Sequence, residues 1–310
     1  MSTKIPYVHE TWNPVTGCTK ISPGCRHCYA ERMAHRLKGR YGYPRKDPFG
    51  ITYHEDLIQK FLNLPKYNSS KIKKRILVCS MGDLFHRAVP RKWIKTVFNA
   101  ARENKSNDCL FLTKRPLRMV QEVKHFFTKI PEHFWFGTST ENQHQLETRV
   151  PHLLSLKEMG APVLFISVEP MLSGIDVRRF LTPIHADDFD GLGYGEFGPW
   201  KDGLDWIVCG GESGSGSRSL HPQWVRDLRD QCIEGETPFY FKQWGAWFPA
   251  QVSEPNGKDV IRLDLKGRDL SFLPHLWCEA DAIMIRAGAK KTGCVLNGRE
   301  WKDFPRPKNE

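Results

Sequence analysis

Three cysteines, Cys18, Cys25 and Cys28, fall within eleven residues of the stretch WNPVTGCTKISPGCRHCYAERMAHRL that spans 12–37. Three thiolates can hold three irons of a 4Fe-4S cluster, because each iron of such a cluster takes a sulfur ligand. No fourth cysteine lies nearby in the chain, so one iron would stay open to a substrate or cofactor. Zinc is the rival. Cys18, Cys25 and Cys28 with His27 or His35 would make a Cys3His set, although structural zinc sites more often come as two spaced pairs. A disulfide fits poorly, since the trio is odd and the first residues, MSTKIPYVHE, are not a secretory signal. Spacing alone does not separate the cluster from the zinc.

These residues need elements to position them. Ser22-Pro23-Gly24 is turn chemistry and folds the first cysteine back towards the other two. An amphipathic helix starts at Cys28. Downstream, short apolar runs at 76–80, 109–113, 134–137, 163–168, 206–209 and 239–241 each end in polar residues and, mostly, lead into a helix. Helices are expected over 90–104, 117–128, 143–159 (broken near Pro151) and 221–234. With 5–12 as a first strand, about seven strands alternate with helices, which is the pattern of an α/β partial (β/α) barrel. In such folds the carboxyl ends of the strands build the active site, so the cysteine loop shares one mouth with every polar strand end. The segment 173–203 is acidic and glycine-rich and reads as an insertion beside that mouth, a candidate lid. After 248 the alternation stops, and 249–310 reads as a small C-terminal β appendage, with strands near 260–265, 282–287 and 293–295 and a polar tail.

At 310 residues, 40% hydrophobic and with ten tryptophans, the chain is long and apolar enough to fold around a large core. No apolar run approaches membrane-spanning length, so no membrane partner is expected and a cytoplasmic protein is the default. The net charge of +11 is uneven. Residues 1–130 carry 26 Lys and Arg against 9 Asp and Glu, whereas 131–310 carry 20 against 26. A basic half suggests a surface for a polyanion, nucleic acid first, with the run KYNSSKIKKR (66–75) as its outer track and Lys114 and Arg115 at the mouth. Cys79, Cys109 and Cys209 lie inside apolar runs and are read as small buried hydrophobes.

Several strand ends carry candidate substrate groups: Asn13, Lys114, Arg115, Glu169, Lys242 and Gln243, with Trp12 and Trp244 able to stack a base. The loop from Gly210, Gly211 and Glu212 to Ser217 precedes a helix and could cradle adenine or phosphate through its backbone N–H groups.

A three-cysteine loop after the first strand of a parallel α/β barrel resembles the radical S-adenosylmethionine (SAM) superfamily. More narrowly, WNPVTGC, GCRHCYAERM, SMGDLF, LTKRP, SVEP, GGESG and FKQWG in this order resemble a phage-associated three-Cys-motif family over residues 10–248, with a weaker echo in TGCVLNGREWKDFP. The resemblance implies a 4Fe-4S cluster on Cys18, Cys25 and Cys28, and SAM on the open iron, cleaved to a 5′-deoxyadenosyl radical by an electron from flavodoxin or ferredoxin. It departs from the usual cysteine spacing of three residues, then two; here six residues precede Cys25 and two precede Cys28. His27 stands where an aromatic residue touches adenine. Ser80, Met81, Gly82 and Asp83 occupy the place of the segment that grips the SAM amine, with Asp83 the acid. Ser139 and Glu141 are placed for ribose hydroxyls. The implied substrate is a nucleic acid, a hypermodified base of phage DNA by first choice, in the bacterial host cytosol. A small molecule or peptide is the alternative, and a non-catalytic, zinc-stabilised nucleic-acid-binding protein the rival from another class. The sequence leaves the oligomeric state open.

Overall fold

The computed structural model describes residues 3–63, 73–181, 202–249, 260–271 and 281–305. Seven parallel strands form one sheet in sequential order: β1 (Glu10–Trp12), β4 (Lys74–Val78), β5 (Asn107–Thr113), β6 (Phe134–Ser139), β7 (Val163–Val168), β8 (Trp206–Gly210) and β9 (Phe239–Gln243). After β1 the chain makes a small antiparallel pair, β2 (Val15–Thr16) with β3 (Thr52–Tyr53), and between them lie the cysteine loop and α1 (Tyr29–Arg36). Helix α2 (Glu55–Leu62) leads towards β4. Helices α3 (Arg91–Glu103), α4 (Pro116–Phe126) and α5 (Gln143–Leu154) make the next three crossovers, and α6 (Pro222–Glu234) connects β8 to β9.

The strands are apolar on both faces, as parallel strands between two cores must be; all six residues of β7 are buried. One core lies between sheet and helices. The other fills the inside of the sheet with Leu77, Leu110, Trp135, Phe165, Trp206 and Tyr240. Tyr7, just before β1, touches Tyr240 on β9 at 5.9 Å between ring centres and Trp206 on β8 at 5.6 Å. Six flat inter-strand steps would hold the two edges roughly 29 Å apart. The sheet is therefore rolled, and the fold is the expected partial (β/α) barrel. Its amino end is plugged by the C-terminal segment. Phe304 packs on Trp206 and Tyr240, and Trp206 Nε1 donates to Asp303 O at 2.9 Å. The tail expected to be a polar extension is thus part of the barrel floor.

The appendage is a three-stranded antiparallel sheet of β10 (Trp247–Pro249), β12 (Ala282–Arg286) and β11 (Val260–Leu263), followed by the hairpin β13 (Val295–Leu296) and β14 (Arg299–Glu300). Other expectations need correcting. The first strand covers only Glu10–Trp12, because Tyr7 and Val8 turn into the barrel. Helix α5 runs through Pro151 to Leu154; buried Leu146, Val150, Leu153 and Leu154 hold it despite the missing N–H. Helix α2 lies in a stretch expected to be irregular, its Ile58 and Phe61 facing the core. Most of the glycine-rich insertion (182–201) and of the basic run (64–72) lies outside the described residues. Of that run, Lys74 pairs with Glu10 at 2.8 Å, and the Arg75 guanidinium lies 3.9 Å from the Phe304 ring centre. Both are engaged at the barrel floor. No described helix is long and apolar enough to cross a membrane.

Candidate functional site

The cysteine loop is tied down at both ends by strand-end residues. At its start Gly17 has φ +90°, and a Cβ there would stand 2.3 Å from Gly50 O, so only glycine fits. Gly17 N donates to Met81 O at 3.0 Å and Asp83 N donates to Gly17 O at 3.3 Å, which joins the loop to the end of β4. Cys18 N donates to Phe49 O at 3.2 Å. A 3-10 turn, Pro23–Cys25, follows the predicted turn residues, and Cys28 is the N-cap of α1. Ala30 and Ala34 seat the helix, leaving Tyr29, Met33 and Arg36 outside.

Two ion-pair groups hold the loop from below. Arg115, just past β5, donates from Nη1 to Cys18 Sγ at 3.3 Å and to Asp83 Oδ2 at 2.8 Å, and from Nη2 to Thr19 O at 3.0 Å. Asp83 Oδ1 accepts from Thr113 Oγ1 at 2.7 Å and from Phe85 N at 3.0 Å. The second group is fully buried Glu141. Its Oε1 accepts from Gly24 N at 3.0 Å, and its Oε2 accepts from Lys114 Nζ at 2.9 Å and from Arg149 Nη1 at 3.0 Å. Burial raises the Glu141 pKa, but Lys114 and Arg149, with a hydrogen bond from Ser22, more than offset it and leave the carboxyl at about 2. Burial and the Asp83 charge push the Cys18 thiol up to about 11 against the opposing pull of Arg115.

The far rim of the mouth is the loop after β8. Arg32 of α1 donates to Ser213 O at 2.7 Å, and Arg218 Nη2 donates to Pro23 O at 3.1 Å while pairing with Glu212 at 2.6 Å. His27 packs against Gly216, where a Cβ would come within 3.1 Å of the ring. Inside the barrel, Glu169 pairs with Lys242 at 2.7 Å and accepts from Ser167 Oγ at 3.1 Å and from the Tyr7 hydroxyl at 3.4 Å. Burial, then the Glu169 charge, holds the Tyr7 phenol well above its ordinary range. Asn13 Oδ1 accepts from Ser80 Oγ at 3.1 Å and Met81 N at 2.9 Å, and the Tyr29 hydroxyl donates to Ser80 O.

The structure therefore brings Cys18, Cys25, Cys28, His27, Asn13, Ser80, Gly82, Asp83, Lys114, Arg115, Glu141 and Glu212 to one mouth. Trp12 and Trp244 do not join them. Trp12 stacks on Phe61 at 3.8 Å and its Nε1 donates to Leu57 O, while Trp244 Nε1 donates to Val295 O; both are core, a correction to their reading as base platforms. Gly211 N donates to Gln243 O, and a Cβ on Gly211 would meet Trp244 O at 1.9 Å, so these residues close the β8–β9 seam. Gly210 lies beside Glu169, with its O accepting from Met171 N. Ser139 is buried, its O accepting from Arg149 Nη1 at 2.6 Å. Both oxygens of Asp83 accept from protein donors, and the carboxylate aims Arg115 at the cysteine loop. Sequence reasoning missed Tyr7, Arg149 and Arg218. Only Arg149 carried a local signal, as a cation on the buried side of α5.

The three cysteines are free and half-buried, as ligands of an added group must be. Among the described residues no group of three His, Cys, Asp or Glu side chains is arranged to hold a metal ion. In a four-iron cluster each of three thiolates takes a different iron. The donor set fits the cluster. Asp83→Ala is expected to lower iron loading as well as SAM affinity, and to cost about 3 kcal/mol, because it strips a mostly buried guanidinium of its carboxylate. Iron content and denaturant midpoint measure both. Full loading with loss of SAM binding alone would return Asp83 to the SAM amine.

The family described as "Protein of unknown function (DUF5131)" matches residues 2–305. No curated protein matches the chain. Two solved structures are similar in fold: "Spore photoproduct lyase complexed with dinucleoside spore photoproduct", at 12% identity and TM-score 0.42, and a cysteine-to-serine mutant of spore photoproduct lyase, at 13% and 0.41. Each alignment covers 93% of this chain and 71% of the other.

Proposed function

The chain belongs to the DUF5131 family, and we propose that it is a radical SAM enzyme that modifies or rearranges a base in nucleic acid. The observation that carries this reading is the cysteine loop itself: three free thiols after the first strand of a rolled parallel sheet, held over its mouth by Arg115, Glu141 and Arg218. Cys18, Cys25 and Cys28 would hold the cluster. When bound, cluster and SAM supply reductive cleavage of the sulfonium and, with it, hydrogen-atom abstraction.

The chain's own residues supply position and enclosure. Arg115 holds Cys18 by an N–H···S contact, the kind of outer contact that orients a metal ligand. Tyr29 and Asn13 both fix the Ser80–Met81 turn beside Cys28. Below them, Lys242 neutralises Glu169 inside the barrel, and the Tyr7 phenol remains protonated next to it. This interior polar group is where a substrate's polar atoms would be read, in keeping with Glu169 and Lys242 as substrate residues. The basic first half favours a polyanionic substrate, a hypermodified base of phage DNA first, with flavodoxin or ferredoxin as electron donor in a bacterial cytosol.

Iron-loaded protein given dithionite and SAM is expected to release 5′-deoxyadenosine and methionine slowly even without substrate, as read by chromatography. Loaded protein that neither binds SAM nor cleaves it would sink the reading.

A further inference from the structure

Between α1 and β3 the chain makes an outward excursion, and both ends of it are tied to the cysteine loop. It leaves from the helix that Cys28 caps and returns at Phe49 and Gly50, which hold Cys18 N and pack on Gly17. Along it Arg36, Lys38, Arg40, Arg45 and Lys46 are exposed, and none has a carboxylate partner among the described residues. The acids nearby are few: Glu31 is paired with Lys20 at 2.8 Å, and Asp47 stands at the far end.

The tip of this excursion is built. Gly39 N donates to Tyr43 O and Tyr43 N donates to Arg40 O, both at 2.9 Å, closing a turn. Tyr43 is tucked underneath against His54. Tyr41 points the other way. It is 81% exposed, the most exposed large hydrophobic side chain described, and its φ of +51° is one that few residues other than glycine and asparagine adopt. Gly39 and Gly42 beside it are also left-handed, at +72° and +81°. A bulky ring in that conformation, held out on a closed turn among five cations, gains nothing for the core.

We propose that the face formed by α1 and residues 37–46 is the track along which a nucleic-acid strand enters the mouth, with phosphates on the five cations and a base stacked on Tyr41. The proposal rests on the nucleic-acid reading above and names its surface. Aromatic rings among cations are how strands are gripped without sequence preference, since every base has a π face. The track lies beside the chemistry, on a different element from the Lys66–Arg75 run.

The test is a titration of fluorescent single-stranded oligonucleotide into the iron-loaded protein at several salt concentrations. Tyr41→Asn, which keeps the left-handed backbone and removes the ring, is expected to weaken binding about 5- to 150-fold with the salt slope unchanged. Tyr41→Trp should restore it. Changing Arg36, Lys38, Arg40, Arg45 and Lys46 to Ser should instead flatten the slope by about 0.7 per phosphate lost. Since Tyr41 is outside the core and asparagine favours its left-handed backbone, thermal unfolding of Tyr41→Asn should come no lower than the parent's. Unchanged affinity in Tyr41→Asn overturns the proposal. So does a parent that binds no oligonucleotide at low salt but binds an acidic flavodoxin through the same five cations. SAM cleavage without oligonucleotide binding removes this proposal and leaves the enzyme; binding without cleavage does the reverse.

Discussion

Anaerobic reconstitution is expected to load about four irons per chain, and changing any one of Cys18, Cys25 or Cys28 to alanine should reduce this to background. The effect is large because the three thiolates are the whole protein share of the ligand set, so no remaining group can substitute. Cys79→Ala is the control. Cys79 lies 3% exposed in the core between sheet and helices, packed as a small hydrophobe. Its removal should leave iron content unchanged. The loaded protein should be brown and the alanine variants colourless. Stoichiometric zinc, with no iron taken up, would falsify the cluster and with it the enzyme.

The barrel was legible in the sequence for a physical reason. Strands buried on both faces read as unbroken apolar runs, and VLFISV at β7 is apolar but for one serine because it faces two cores. What closes the barrel was not legible. Tyr7 and Phe304 sit in short irregular segments, and their partners, Trp206 and Tyr240, are remote in the chain. No periodicity records such contacts. The mouth was read in part. Its polar strand ends were found, but not what each one faces. Parity would have helped at Trp12 and Asn13, because neighbours in a strand point to opposite faces. Only Asn13 reaches the Ser80–Met81 turn, while Trp12 enters the core beside α2. That helix was itself readable, since Leu57, Ile58, Phe61 and Leu62 recur at helical spacing in EDLIQKFL. At Asp83 and Glu141 the residue type was right for a functional acid. The competing role, anchoring the cysteine loop, depends on Arg115, Gly24 and Arg149 arriving from elsewhere, which only the tertiary structure decides.

Glu141→Gln should be strongly destabilising, and its cost should depend on pH. In the parent, Glu141 is an ionised carboxylate at full burial, held at about 2 against an ordinary glutamate value of 4.5. A depressed acid stabilises the folded state fully above its unfolded pKa and loses that contribution as pH falls through its folded one. The window is therefore from about pH 5 down to about pH 2, and the shift corresponds to something on the order of 3 kcal/mol. Glutamine keeps the shape and an acceptor for Gly24 N but leaves Lys114 and Arg149 without a counter-charge, a loss of about 3–5 kcal/mol at neutral pH for a pair this buried. Denaturant midpoints of parent and variant, measured from pH 7 to pH 2.5, should differ most at pH 7 and converge in acid. The difference between the two curves removes every other titrating group. Parallel curves would show that the carboxylate is not what holds the two cations in place. Because relaxation of the two uncompensated cations would shift the side chain that also holds Gly24, between Cys18 and Cys25, the variant should also take up less iron under conditions where it is still folded.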